Sequence, residues 1–128
     1  FVRAGKQGVQ TISSPVGAVG IMQVNAKVWR GFYNVDALRA DIAYNAVAGS
    51  EIVRHYFVDY AIKKGEHKVT GDLHNLARAT YSAYNAGPGG LTRYRKAGGN
   101  KHAHIDVKFW DKYQQVRAGN ELAVASCY

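Results

Sequence analysis

The sequence predicts a mainly α-helical protein. Three observations carry that prediction. Apolar residues recur at three- and four-residue steps over long stretches, acidic residues stand where helices would begin, and strand-type alternation is nearly absent. A hydrophobic fraction of 47% with 12% aromatics suits a packed core and not a disordered chain. At 128 residues the chain reads as one domain, 1–128, large enough for a single core.

Taken in order, residues 1–16 hold Gly5, Gly8 and a mixture of Gln, Ser and Thr, and read as a loop. Val24 to Arg30 reads as a short helix. Asp41 to Lys64 is the longest helical pattern: Ile42, Ala46, Gly49, Val53, Tyr56 or Phe57, and Tyr60 fall on one face. Asp41 suits the helix start, and Lys63-Lys64 suit its negative C-terminal end. Lys64 to Gly71 is polar and loop-like. Asp72 is placed to cap a second helix running to Tyr84, with Leu73, Leu76, Thr80 and Tyr84 near one face. Gly87, Pro88 and Gly89-Gly90 then stop it. Ala97 to Lys101 reads as a loop, and Val107, Trp110, Tyr113 and Val116 mark a last helix ending near Gly119. There is no internal repeat and no low-complexity segment.

Two stretches stand out for chemistry. The first is Ser13-Ser14-Pro15-Val16-Gly17-Ala18-Val19-Gly20-Ile21-Met22-Gln23-Val24-Asn25. Its glycines permit close approach of backbone to a neighbour, and the Gln23 and Asn25 amides offer donors and acceptors suited to sugar hydroxyls and N-acetyl groups. Alone, it is also read as a tight turn before a buried segment. The second is Ala83-Tyr84-Asn85-Ala86-Gly87-Pro88-Gly89-Gly90, which places Tyr84 and Asn85 at a helix end. Alone, that is also simple helix termination.

In order and spacing, the two stretches together resemble the catalytic domain of the soluble lytic transglycosylases, which cut bacterial peptidoglycan and share the goose-lysozyme-like fold. Trp29-Arg30-Gly31-Phe32-Tyr33, and Asp41-Ile42-Ala43-Tyr44-Asn45 followed by Gly49, extend the resemblance. It covers roughly residues 10–95 and fades from about 97 onward. Carried over position by position, it implies that Ser14 lies near the catalytic acid and that Gln23 bonds substrate. Tyr84 would face the acid and the reacting sugar, with Asn85 beside it; Met22 and Asn25 complete the implied substrate contacts, and Ile21 and Met22 wall the pocket. Many members carry Met-Pro where this chain has Asn25-Ala26, a departure at the sugar contact.

The chemistry implied is a one-carboxylate variant of glycoside cleavage, which more commonly uses two. A Glu protonates the oxygen linking N-acetylmuramic acid to N-acetylglucosamine. The muramyl C6 hydroxyl attacks the anomeric carbon, its proton passes to the same Glu, and a 1,6-anhydro ring closes without water. Such an acid needs its pKa raised by a partly apolar pocket. In the family the Glu precedes the first stretch, yet no Asp or Glu precedes Asp36 here. The resemblance therefore implies a general acid upstream of Phe1 and little cleavage by these 128 residues alone. Glu51 follows the stretch and is not cast in that role; an ion pair with Arg54 or His55, one turn away, accounts for it. Asp36 and Asp41 read as helix caps.

Charge points to anionic partners: 17 Lys+Arg against 9 Asp+Glu give +8. Peptidoglycan glycan strands carry carboxylates and fit. Nucleic acid competes, and the nearest basic stripe is Arg93-Tyr94-Arg95-Lys96 with Lys101. The other charges are dispersed, so no nucleic-acid partner is expected. No apolar run reaches the ~18 residues of a membrane span, and no cofactor is implied. His102, His104 and Asp106 have metal-donor chemistry, but the spacing lacks further ligands and reads as a surface loop, so no metal is expected. His55, His67 and His74 are scattered. Cys127 is the single cysteine. The export implied by the resemblance, to periplasm or cell envelope, suggests a partner cysteine upstream; an incidental thiol is the alternative. Three other functions stay open: a goose-type hydrolytic muramidase, a non-catalytic glycan-binding relative, and a basic nucleic-acid binder.

Overall fold

The computed structural model describes residues 2–5, 8–11, 13–96 and 101–125. The protein is mainly helical. Its contacts divide it into two compact units, residues 1–52 and 53–128.

The first unit opens with β1 (Val2–Gly5) paired antiparallel to β2 (Gly8–Thr11), with Gly5 opposite Gly8. The sequence reads this segment as loop; the two glycines are instead the last pair of an antiparallel ladder. A second, smaller hairpin joins β3 (Ala18–Val19) to β4 (Val24–Asn25), in register Ala18↔Asn25 and Val19↔Val24. The helix expected from Val24 therefore starts later, as α1 (Ala26–Trp29), because the Asn25 side chain accepts from the Lys27 and Val28 amides and caps it. A helix not foreseen, α2 (Val35–Ala40), is capped by Asn34, whose Oδ1 accepts from the Ala37 amide at 3.0 Å. Asp36 does not cap it but sits in its first turn, where negative charge is favoured. Asp41 does cap the next helix, α3 (Ile42–His55), through the Tyr44 amide.

The α3 pattern is offset from the expected face. Asn45, Ala48, Gly49 and Ile52 are buried, whereas Ile42 is 48% exposed. The offset has a cause in the first unit: the Asn45 side chain bonds hairpin backbone and the Met22 side chain lies over Gly49, so this face of α3 carries small residues and one amide instead of large aliphatics.

In the second unit the expected α-helix does not run to Lys64. It gives way to a π-helical segment, Tyr56–Ile62, in which the Lys63 amide reaches back to Val58. The run Tyr56-Phe57-Val58-Asp59-Tyr60 contains only weak helix formers, which lowers the cost of widening the turn. The polar stretch read as loop contains α4 (Glu66–Thr70), bounded by Gly65 and Gly71. The following helix, α5 (Asn75–Ala86), begins two residues later than expected; Asp72 caps the preceding turn at His74, and Leu73 is 66% exposed. Leu76, Ala79, Thr80, Ser82 and Ala83 are its buried face. α5 stops where expected, at Gly87 (φ +85°), and two 3-10 turns follow, Pro88–Gly90 and Arg93–Arg95. The long helix α6 (Ala103–Arg117) ends at Gly119 as expected, but a further helix, α7 (Leu122–Ala125), comes after it. Val107 and Val116 are exposed, so the packed face of α6 runs through Asp106, Phe109, Trp110 and Tyr113. α5 is the centre of this unit: it packs against the π segment, α4, α6 and both 3-10 turns. The stacked rings of Tyr81 and Phe109, 4.2 Å apart, join α5 to α6. Among the described residues, no helix is long and apolar enough to cross a membrane. Cys127 and most of the expected 97–101 loop lie outside the described residues.

Candidate functional site

The candidate residues fall in both units. Ser14, Met22, Gln23 and Asn25 belong to the first, and Tyr84 and Asn85 to the second.

In the first unit the conspicuous stretch folds as the β3–β4 hairpin with its lead-in turn. Ser14 Oγ accepts from the Ala18 amide at 3.0 Å, while its own amide donates to Ala18 oxygen at 2.8 Å. Gly17 returns to Ser14 oxygen, and its carbonyl accepts from Ala26. The hairpin loop is closed by the Gln23 amide donating to Gly20 oxygen at 3.1 Å. Gln23 adopts φ +49°, and its Nε2 also donates to Gly20 oxygen at 2.9 Å. Asn25 bridges back to Val16 oxygen while capping α1. The polar side chains expected to meet sugar thus each make a bond that shapes this turn.

Two contacts lock the hairpin to α3. Asn45 is buried and its amide is used three ways: Nδ2 donates to Val19 and Leu38 oxygens at 3.0 and 2.9 Å, and Oδ1 accepts from the Met22 amide at 2.9 Å. Gly20, at φ +76°, lies so close that a Cβ there would stand 2.3 Å from Asn45 Nδ2. A Cβ on Gly49 would stand 2.4 Å from Met22 Cβ. Gly20, Met22, Asn45 and Gly49 therefore form an interlocking set from two distant parts of the sequence.

Beside this lies an aromatic group the sequence did not mark as a cluster. Trp29 meets Phe32 and Tyr33 edge-on, with centroids 5.6 and 6.3 Å apart, and Tyr33 meets Tyr44. Phe32 is 78% exposed. Glu51 belongs here: its Oε2 accepts from Tyr33 Oη at 2.7 Å. His55, one turn on, pairs with Asp59. Burial, then the Glu51 carboxylate, pushes the Tyr33 phenol up to about 12.

In the second unit Tyr84 and Asn85 occupy the last turn of α5. Tyr84 is half-buried, and desolvation, reinforced by the nearby Tyr56 phenol, pushes it up to about 12. It stays a hydroxyl donor throughout the physiological range. Asn85 is exposed, and its Oδ1 accepts from Arg93 Nη1 at 2.9 Å. Arg93 in turn forks onto buried Asp106, at 2.7 and 2.8 Å, and Ser82 Oγ donates to the same carboxylate at 2.9 Å. Asp106 is thus part of a buried ion pair and not of a surface loop, while His102 and His104 beside it in sequence are exposed.

A second carboxylate was missed from the sequence. Glu66 is 1% exposed, accepts from Tyr94 Oη, and pairs with Arg95, whose Nε is 2.6 Å and Nη2 2.5 Å away. Its local signal is faint: a polar five-residue helix between two glycines, with partners 28 and 29 residues away. No family model matches the chain, nor does any curated protein or solved structure.

Proposed function

We propose that this protein recognises peptidoglycan glycan strands and provides the substrate-positioning part of a lytic transglycosylase site on a lysozyme-like helical fold, in the cell envelope. The observation that carries the reading is the interlock of Gly20 and Met22 with Asn45 and Gly49. These four positions all lie in stretches that resemble the family, and a chance likeness of short motifs gives no reason for them to depend on one another sterically. Two further features support it. An exposed aromatic group around Phe32 is the kind of surface on which the C–H faces of sugars stack. Tyr84, half-buried in the last turn of α5 next to Asn85, brings a phenol hydroxyl to the helix end that the second stretch marks.

In the proposed reaction, a Glu acting as general acid protonates the bond between N-acetylmuramic acid and N-acetylglucosamine, and the muramyl C6 hydroxyl closes the 1,6-anhydro ring as its proton passes to that carboxylate. Ser14, Met22, Gln23 and Asn25 shape the sugar-side turn. Tyr84 and Asn85 supply donors at a helix end.

The nucleic-acid reading loses its best feature. Of the Arg93-Tyr94-Arg95-Lys96 run, Arg93 and Arg95 are each paired with a buried carboxylate, which neutralises much of the positive charge that this run would offer a phosphate backbone. The test is mass spectrometry of soluble products from purified sacculi, using residues 1–128 alone and an extended form in which a Glu-bearing segment precedes them. Anhydro-muramyl ends from the extended form, and few or none from residues 1–128, are expected. Reducing ends would assign a goose-type muramidase. Retention on sacculi without products from either form would leave a glycan-binding protein, and neither retention nor products would refute the reading.

A further inference from the structure

The exposed end of α5 carries a side chain whose hydrogen-bonding polarity is decided from behind. Arg93 has only donors on its guanidinium and remains charged at any ordinary pH. The Asn85 amide therefore has to turn its oxygen toward Arg93, as the 2.9 Å contact shows. Because Asn85 is exposed, its NH2 half is left to the outside. The guanidinium cannot swing away to relax this choice. Its Nε and Nη2 are forked onto Asp106, with side chains only 9% and 4% exposed for Arg93 and Asp106. Asp106 Oδ1 also accepts from Ser82, one turn earlier on the same helix as Asn85. The chain of bonds leaves α5 at Ser82 and returns to it at Asn85, so the last turn is tied at two points.

We propose that Arg93 and Asp106 are positioning residues that hold Asn85 as a fixed hydrogen-bond donor, and that its ligand is an acceptor oxygen of the glycan, an acetamido carbonyl or a carboxylate. The ligand class rests on the glycan reading above. An unanchored amide would rotate and accept from a sugar hydroxyl as readily as it donates. An anchored one discriminates, because a hydroxyl offers a weaker acceptor than an acyl or carboxylate oxygen.

The decisive variant is Asn85→Asp. It keeps an oxygen toward Arg93, now with charge, so a role confined to holding the helix end predicts unchanged or higher melting temperature and unchanged binding. The fixed-donor role predicts the same stability but affinity for glycan about tenfold or more weaker, since the outward donor becomes an acceptor. Two probes separate the ligand sources. Tetra-N-acetylchitotetraose has acetamides and no carboxylate; soluble peptidoglycan strands add lactyl and stem-peptide carboxylates. In the wild-type protein, the Asn85 side-chain NH2 signals in nitrogen-15 NMR should shift with the first probe if the partner is an acetamide. They should shift with the second alone if it is a carboxylate. Arg93→Lys, which keeps the charge without the fork, should move those signals toward free-amide positions and weaken binding. Wild-type binding to either probe with stationary Asn85 signals, or Asn85→Asp binding as tightly as wild type, overturns the assignment. Failure of the wild type to bind either probe overturns the glycan reading itself and the ligand proposed here with it, and shows before any variant is made.

Discussion

Replacing Asn45 by Ala removes three hydrogen bonds from the centre of the first unit, to Val19 and Leu38 oxygens and from the Met22 amide. Each bond has a backbone partner, and the side chain that serves them is buried. A typical bond contributes about 1 kcal/mol net, and a buried partner left unsatisfied costs about 1–3 kcal/mol. The sum for three bonds, reduced because water can enter the space vacated beside Gly20, is about 3–5 kcal/mol. For a chain of this size that corresponds to a melting temperature lower by about 10–20 °C. The assay is thermal denaturation followed by circular dichroism, with amide exchange of Met22 as the local probe. Met22 exchange should accelerate more than that of amides inside α5. Asn45→Asp sharpens the test: its carboxylate would face two carbonyl oxygens, so it should be worse than Ala at neutral pH and recover partly in acid, where protonation restores one donor. A melting temperature within about 3 °C of wild type for Asn45→Ala, with Met22 still protected, would refute the view that this amide holds the hairpin to α3.

Other substitutions probe other parts of the account. Gly49→Ala places a methyl 2.4 Å from Met22 Cβ and should cost about 1–3 kcal/mol by overpacking, measured by urea denaturation; a neutral result would mean that the hairpin is not in close contact there. Arg93→Ala strands the Asp106 carboxylate in a buried place and should destabilise by about 3–5 kcal/mol, read from the same denaturation curves. Tyr84→Phe, in a form that cleaves sacculi, should slow turnover while leaving the melting temperature nearly unchanged; unchanged turnover would make Tyr84 a packing residue only. The phenols of Tyr33, Tyr84 and Tyr94 are all pushed up to about 12, burial being the largest cause in each. Folding thus favours their protonated forms. Their contribution to stability is fully present below pH ~10, the ordinary tyrosine value, and is lost as pH rises toward about 12. Melting curves against pH, with ultraviolet titration of the phenols, should show that loss; a flat profile over this window would contradict it.

Much of the helical layout was legible in the sequence, and the exceptions share a physical cause. The helices α3, α5 and α6 announce themselves by apolar periodicity, and Gly87-Pro88 and Gly119 mark real ends. What periodicity misses is burial of polar groups through distant partners. Glu66 looks like an exposed charge until Tyr94 and Arg95 are brought to it. Asp106 looks like part of a loop until Arg93 and Ser82 reach it. On α3 the same blindness shifts the inferred face, because Asn45 is a core residue by virtue of its amide and not despite it. The local reading of the two stretches, as a tight turn and as the end of a helix, matches the hairpin around Gly20 and the end of α5. Their local bonds were not predictable, since the turn around Gly20 depends on a helix more than twenty residues away.

The most direct measurement of the central claim is retention of the protein on purified sacculi, with competition by soluble glycan strands and by duplex DNA over a series of salt concentrations. With a net charge of +8, some retention at low salt follows from electrostatics alone. Recognition of glycan predicts retention that survives physiological salt, is displaced by glycan strands, and is indifferent to DNA at the same charge concentration. Retention that vanishes with salt and is displaced equally by either polymer would contradict the account.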